Sequence, residues 1–151
     1  MTYFNLRIPY LDHISQARSI VETLTLLSVR GYLFSVFFFA GFNKLKSWES
    51  TLFLFEYEYV VPFLRHDIAA YIGTATEIFL PLLLLLGLLT PLAATGLFIF
   101  NIVAVMSLAE MAPAAFLLHV IWGGLIFSLI IWGPGKISVD RVLFKPNKTD
   151  R

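Results

Sequence analysis

The sequence predicts an all-α protein: a bundle of four membrane-spanning helices with a short connecting helix or lid on its outer face. Three observations carry this. The 151 residues are 58% hydrophobic and 14% charged, with a mean hydropathy of +0.80, whereas soluble domains hold about 25% charge. From Ile78 to Ala109 no side chain is ionisable, a run too long for one crossing of a hydrocarbon core about 30 Å thick. Gly87 and Thr90-Pro91 break that run at its centre, where proline cannot continue the helical ladder.

The first span runs from about Leu24 to Asn43, through Val36-Phe37-Phe38-Phe39. The second, about Ile68 to Leu89, would make a helix of roughly 33 Å at about 1.5 Å per residue. The third covers about Leu92 to Ala109. The fourth covers about Ala114 to Trp132, started by Pro113 and stopped by Gly133-Pro134-Gly135. Residues 1–23 are then an N-terminal segment, 24–133 the membrane domain and 134–151 a C-terminal tail. The first twenty residues lack the apolar core and small-residue cleavage site of a signal peptide, so the spans themselves are expected to direct insertion.

Between the first two spans, Trp48, Leu52, Phe55 and Tyr59 share one helical face, while Phe53, Phe55, Tyr57 and Tyr59 alternate as in a strand. A lone strand at membrane depth leaves backbone groups unpaired, so a short helix is expected. It is either a packed lid over the outer mouth or an aromatic anchor among headgroups. The terminal segments carry Arg7, Arg18, Lys136, Arg141, Lys145, Lys148 and Arg151, against Lys44, Lys46 and Arg65 in the first connection. This bias predicts that both termini are cytoplasmic.

Several function classes are excluded. The basic residues flank apolar spans and form no stripe, so no nucleic-acid partner is expected. There is no cysteine, hence no dithiol chemistry and no thiolate zinc or iron–sulfur site on this chain. No histidine pair stands at metal-ligand spacing, and no phosphate loop or nucleophile motif is present.

What remains is a set of polar residues inside apolar spans, beginning with Glu77. A carboxylate at that depth costs at least about 2.5–3.5 kcal/mol, so a compensating polar site is expected around it. Ala70, Gly73, Thr74, Glu77 and Pro81 form a small, polar face directed into the protein. In the first span Arg30, Phe34, Phe37, Gly41 and Lys44 share a face, with Arg30 and Lys44 at opposite ends. Asn101 lies near mid-depth in the third span. In the fourth, His119 lies inside the outer boundary with Trp122 adjacent. Straight helices put Arg30 and Glu77 roughly 7 Å apart in depth. An Arg30–Glu77 ion pair that keeps the carboxylate ionised is therefore the main structural expectation, with snorkelling of Arg30 as its competitor. Lys44 is an interfacial anchor in the plainer reading and a ligand contact in the functional one. Asn101 is either helix-to-helix glue or a ligand contact.

Three stretches resemble one family. Arg30 through Ala40-Gly41-Phe42-Asn43-Lys44-Leu45 resembles the opening helix of DoxX-like membrane proteins. Glu77 followed by Leu82 to Thr90 resembles their second hairpin, and Gly133-Pro134-Gly135-Lys136-Ile137-Ser138-Val139-Asp140 their closing signature. The likeness runs roughly from Val29 to Leu143, with Pro91 where the family often has a basic residue. It implies a four-helix bundle with cytoplasmic termini in a bacterial inner membrane, and transfers Arg30, Lys44 and Glu77 as motif positions.

The family's namesake is a small subunit of a thiosulfate:quinone oxidoreductase. The leading expectation is therefore a membrane subunit of a quinone-linked redox complex. Glu77 and His119 are the catalytic candidates, moving protons. Arg30, Lys44, Asn101 and Trp122 are the ligand-binding candidates, and quinone is the expected cofactor. Electrons would come from a protein partner. The alternatives are a non-enzymatic accessory protein assembling with a partner or with itself, and a transporter of a small solute or proton.

Overall fold

The computed structural model describes residues 9–108 and 110–143. Arg7 and the tail residues Lys145, Lys148 and Arg151, used above for orientation, lie outside the described residues. Six helices follow in order: α1 Pro9–Lys46, α2 Trp48–Tyr57, α3 His66–Leu86, α4 Thr90–Ser107, α5 Pro113–Trp132 and α6 Val139–Leu143. Four of them, α1, α3, α4 and α5, are long and apolar enough to cross a membrane. The all-α four-span architecture expected from the sequence is the one observed.

The helix ends follow local chemistry. Gly87 adopts a left-handed conformation (φ +66°) and closes α3, with the Leu88 N–H donating to the Leu83 carbonyl at 2.9 Å and the Gly87 N–H to Leu84 at 3.0 Å. This double bond satisfies carbonyls that a helix end otherwise leaves free. Pro113 starts α5, and Gly133 (φ +73°) ends it. Helix α1 is longer than the span expected at Leu24–Asn43, because charged residues before Leu24 continue the helix without interruption from Pro9.

Helix α1 packs chiefly on α3, α3 on α4, and α4 on α5, so the four long helices form a ring. One core lies toward the α3–α4 hairpin and contains the fully buried Leu33, Leu84, Leu97, Ile126 and Leu129. A second, smaller cluster lies at the α2 end, where Phe55 packs on Ala69 and Ala70 with Trp48, Leu52 and Tyr59 around it. These are the residues of the face read from the sequence, and they cover the bundle. The opposite face of α2 leaves Phe53 and Tyr57 exposed, their tilted rings in contact at 4.7 Å. Outside the cores the long helices present large apolar residues outward, as burial in lipid requires.

Candidate functional site

The polar residues predicted from the sequence separate into three groups, which the helix packing sets at different levels. The first is Lys44 and Glu77. Gly41, one turn before Lys44, lies so close to α3 that a Cβ there would come within 2.9 Å of the Glu77 Cβ and the Ile78 Cγ1. The missing side chain lets the backbones meet, and the Lys44 ammonium donates to Glu77 Oε1 at 2.6 Å and Oε2 at 2.5 Å. Glu77 is buried while the Lys44 side chain keeps 24% of its surface. Lys44 is also anchored through its carbonyl, which accepts from the Thr51 hydroxyl at 3.0 Å.

This corrects the expected Arg30–Glu77 pair. Arg30 is buried and neither pairs with Glu77 nor snorkels. Its Nε donates to the Leu84 carbonyl at 2.6 Å, Nη2 to Leu85 at 2.5 Å, and Nη1 to Pro134 at 2.9 Å and Ile137 at 2.6 Å. The guanidinium thus occupies the C-terminal end of α3, where orphan carbonyls and the negative end of the helix dipole favour a cation. Its planar fork also holds the closing loop against the hairpin.

Asp140 completes that end. It accepts from the Leu89 N–H at 2.6 Å and the Thr90 N–H at 2.9 Å, while its own N–H donates to the Gly87 carbonyl at 2.8 Å. The carboxylate caps α4, where negative charge is favoured. Gly87 is confined between these groups: a Cβ there would lie 2.6 Å from the Ser138 Cβ and 2.7 Å from Arg30 Nη2. The Gly133–Asp140 motif is therefore a structural clasp; Arg30 belongs to it and lines neither of the cavities described below.

The third group is Asn101, His119 and Trp122. Asn101 Nδ2 donates to the His119 carbonyl at 3.0 Å, which turns its Oδ1 toward His119 Nδ1 at 2.8 Å. In a neutral ring that pairing puts the proton on Nδ1 and leaves Nε2 as the acceptor. The His119 and Trp122 rings meet edge to face at 4.8 Å, and Trp122 meets Phe37 at 5.7 Å. Trp122 Nε1 donates to the Tyr32 hydroxyl at 3.2 Å.

Between the first and third groups lies a cavity of about 650 Å³, in the range of small-molecule sites. Lys44, Glu77, His119 and Trp122 line it, together with Phe37 and Phe55. Asn101 does not line it and acts through His119. It borders a shallower apolar groove of about 430 Å³ between α4 and α5. The polar cavity residues Tyr59, Thr76 and Ser107 were not among the site candidates read from the sequence. Tyr59 lies in the turn after α2, and Ser107, whose hydroxyl donates to the Val103 carbonyl at 2.6 Å, ends α4. Burial pushes the Tyr59 phenol above its usual range, and the nearby negative charges of Glu77 and Glu58 push it further. The lid register was the available signal for Tyr59, since it shares the inward face of Phe55.

Four apolar spans, with buried ionic groups and an internal cavity between them, define an α-helical multi-pass membrane protein. A sequence profile of the DoxX family matches residues 25–120, and the chain belongs to that family. The match includes Arg30, Lys44, Glu77, Asn101 and His119 and ends before the closing motif. No match was found among curated proteins or among solved structures.

Proposed function

We propose that this chain is the membrane subunit of a quinone-linked redox complex and that the ring of a quinone occupies the cavity between Lys44–Glu77 and His119. The observation that carries this reading is an apolar, aromatic-walled cavity with a buried ion pair on one side and an oriented imidazole on another. A quinone needs that combination: flat apolar walls for the ring and a hydrogen-bonding group for each carbonyl. The quinone supplies the redox chemistry, with electrons delivered by a partner subunit that carries a redox centre. Lys44 offers a donor at the exposed edge of the cavity. Glu77, paired with Lys44, takes up and passes protons. Asn101 fixes the His119 tautomer so that Nε2 accepts a proton or a hydrogen bond.

The test is equilibrium binding of a decyl-tailed benzoquinone to the purified chain in lipid nanodiscs. Saturable binding, weakened at least about 10-fold by Phe37→Ala or His119→Leu, is the expected result. The absence of saturable binding to the wild-type chain overturns the reading.

A second reading, a non-enzymatic accessory protein, draws on the exposed face of α2, where the paired rings of Phe53 and Tyr57 lie beside exposed Glu49 and Glu56. Extraction in mild detergent separates the two: a stoichiometric partner without quinone binding favours the accessory role.

A further inference from the structure

The cavity is closed on most sides by contacts that leave no slack. Toward the hairpin, Leu80 abuts Gly96 so closely that a Cβ there would come within 2.9 Å of Leu80 Cδ1. Toward α1, Gly41 is in contact with Glu77 and Ile78. Under the lid, Phe55 lies against Gly73, where a Cβ would be 3.3 Å from its ring. At the α2 end the turn after α2 is bonded to the end of α4: the Val60 N–H donates to the Ser107 carbonyl at 2.8 Å, and Tyr59 and Leu108 form an antiparallel bridge. Between α1 and α5, the Tyr32–Trp122–Phe37 contacts join the two helices.

Exposure locates what is left. Every cavity residue from α1 and α5 is buried or half-buried. The exposed ones lie elsewhere: Ile72 on α3 (51%), Ile99 on α4 (57%) and Leu64 in the loop entering α3 (42%). Ile72 and Ile99 are on membrane-spanning helices, so the surface they share faces acyl chains. Glu77 is the one charged side chain among the α3 and α4 lining residues, and it is paired with Lys44 of α1.

We infer that the cavity is loaded sideways from the bilayer through the α3–α4 seam. Its ligand is therefore a lipid-phase amphiphile, whose polar head reaches Glu77 and whose apolar tail runs out past Ile72 and Ile99. This rests on the cavity being the ligand site, and it narrows the class of molecule that site accepts. A water-soluble compound meets the bonded roof and the lid. A tailed molecule already in the hydrocarbon phase meets an apolar seam that costs nothing to desolvate. The tail also needs no room inside the protein, so a cavity of about 650 Å³ has only the head to enclose.

The natural chain has no cysteine, so single cysteines report access without a background. Ala40 lines the wall contributed by α1, away from the seam, and Phe39 on the same helix is exposed to lipid. Ala40→Cys and Phe39→Cys chains in liposomes are treated with a membrane-soluble benzyl thiosulfonate or with a charged trimethylammonium thiosulfonate. The benzyl reagent should modify Ala40→Cys while the charged one, present on both sides, does not. Adding Ile99→Trp, or Ile72→Trp as the second plug, should slow benzyl modification of Ala40→Cys at least about 10-fold and leave Phe39→Cys unchanged. Comparable labelling by the charged reagent overturns the inference, as does an unaltered rate with both plugs or slowing by Ala115→Trp alone. The assay contains no quinone. A failed quinone titration with a working seam therefore rejects the ring assignment only, and a blocked seam with intact quinone binding rejects the route only.

Discussion

Lys44 and Glu77 meet at 2.5 Å across the α1–α3 interface, at a level where Gly41 brings the two backbones together. The pair is asymmetric: Glu77 is nearly sealed from solvent, whereas Lys44 retains a quarter of its side-chain surface at the cavity edge. Removing the lysine therefore strands a buried carboxylate, but removing the carboxylate leaves a flexible ammonium that can turn outward. Lys44→Met should lower stability by about 3 kcal/mol, the scale for breaking a buried pair, and Glu77→Gln by clearly less. Lys44→Met/Glu77→Leu should recover much of the loss. Thermal unfolding of the four chains in one detergent checks this; equal losses for the two single variants contradict the asymmetry.

Gly41 offers an independent handle on the same interface. An added Cβ must displace Glu77 or Ile78, since both would lie 2.9 Å away. Overpacking of this kind costs about 1–3 kcal/mol, so Gly41→Ala should be destabilising although alanine is the better helix former. Gly31 and Gly124, which have open space around their Cα atoms, should tolerate or benefit from alanine. Parallel melting curves of the three variants decide the matter.

Arg30 is predicted to be irreplaceable by lysine. Its four bonds run in different directions, to α3 on one side and to the closing loop on the other. An ammonium has three donors and lacks the planar fork that serves both partners. With bonds to charged groups contributing about 1.5–3 kcal/mol each, loss of one or two should make Arg30→Lys destabilising by about 3 kcal/mol. Limited proteolysis should show the Gly133–Leu143 segment released first. An unchanged digestion pattern contradicts the clasp.

Tyr59 gives the chain a predicted weakness in alkali. Its folded phenol is held neutral by burial and by the charges of Glu77 and Glu58, above the ordinary value of 10.0. A group whose folded value is raised contributes stability that is complete below the unfolded value and is lost as pH rises through the folded one. Stability should therefore decline above about pH 10, and less so in Tyr59→Phe. Chemical unfolding at stepped pH measures the difference.

Much of this was legible in the sequence because membrane burial forces local signals to be strong. Gly87, Pro113 and Gly133 marked helix ends that the fold reproduces, and the Trp48–Tyr59 periodicity marked the packed face of α2. Asn101, read near mid-depth, and His119, read inside the outer boundary, meet in the structure, a contact that the sequence did not predict. The partner of Arg30 was not legible. Side-chain reasoning searches for a carboxylate, whereas Arg30 is satisfied by backbone carbonyls that every sequence possesses and only a helix end exposes. The same bias hid Lys44, whose position at the end of α1 looked interfacial until the close approach at Gly41 fixed the register.

Asp140 carries the last prediction. Leu89 adopts a left-handed backbone (φ 49°) without being glycine, a conformation that costs about 1 kcal/mol or more. It is held there because its N–H, with that of Thr90, donates to the Asp140 carboxylate. Asp140→Asn keeps one acceptor but loses the charge facing the α4 dipole, and should cost about 1 kcal/mol; Asp140→Ala should cost about 2 kcal/mol. Leu89→Gly removes the backbone penalty, so the loss from Asp140→Ala should shrink in that background. A melting-temperature cycle over Asp140→Ala and Leu89→Gly measures the coupling. Strict additivity would mean that the carboxylate caps α4 without holding Leu89 in its turn.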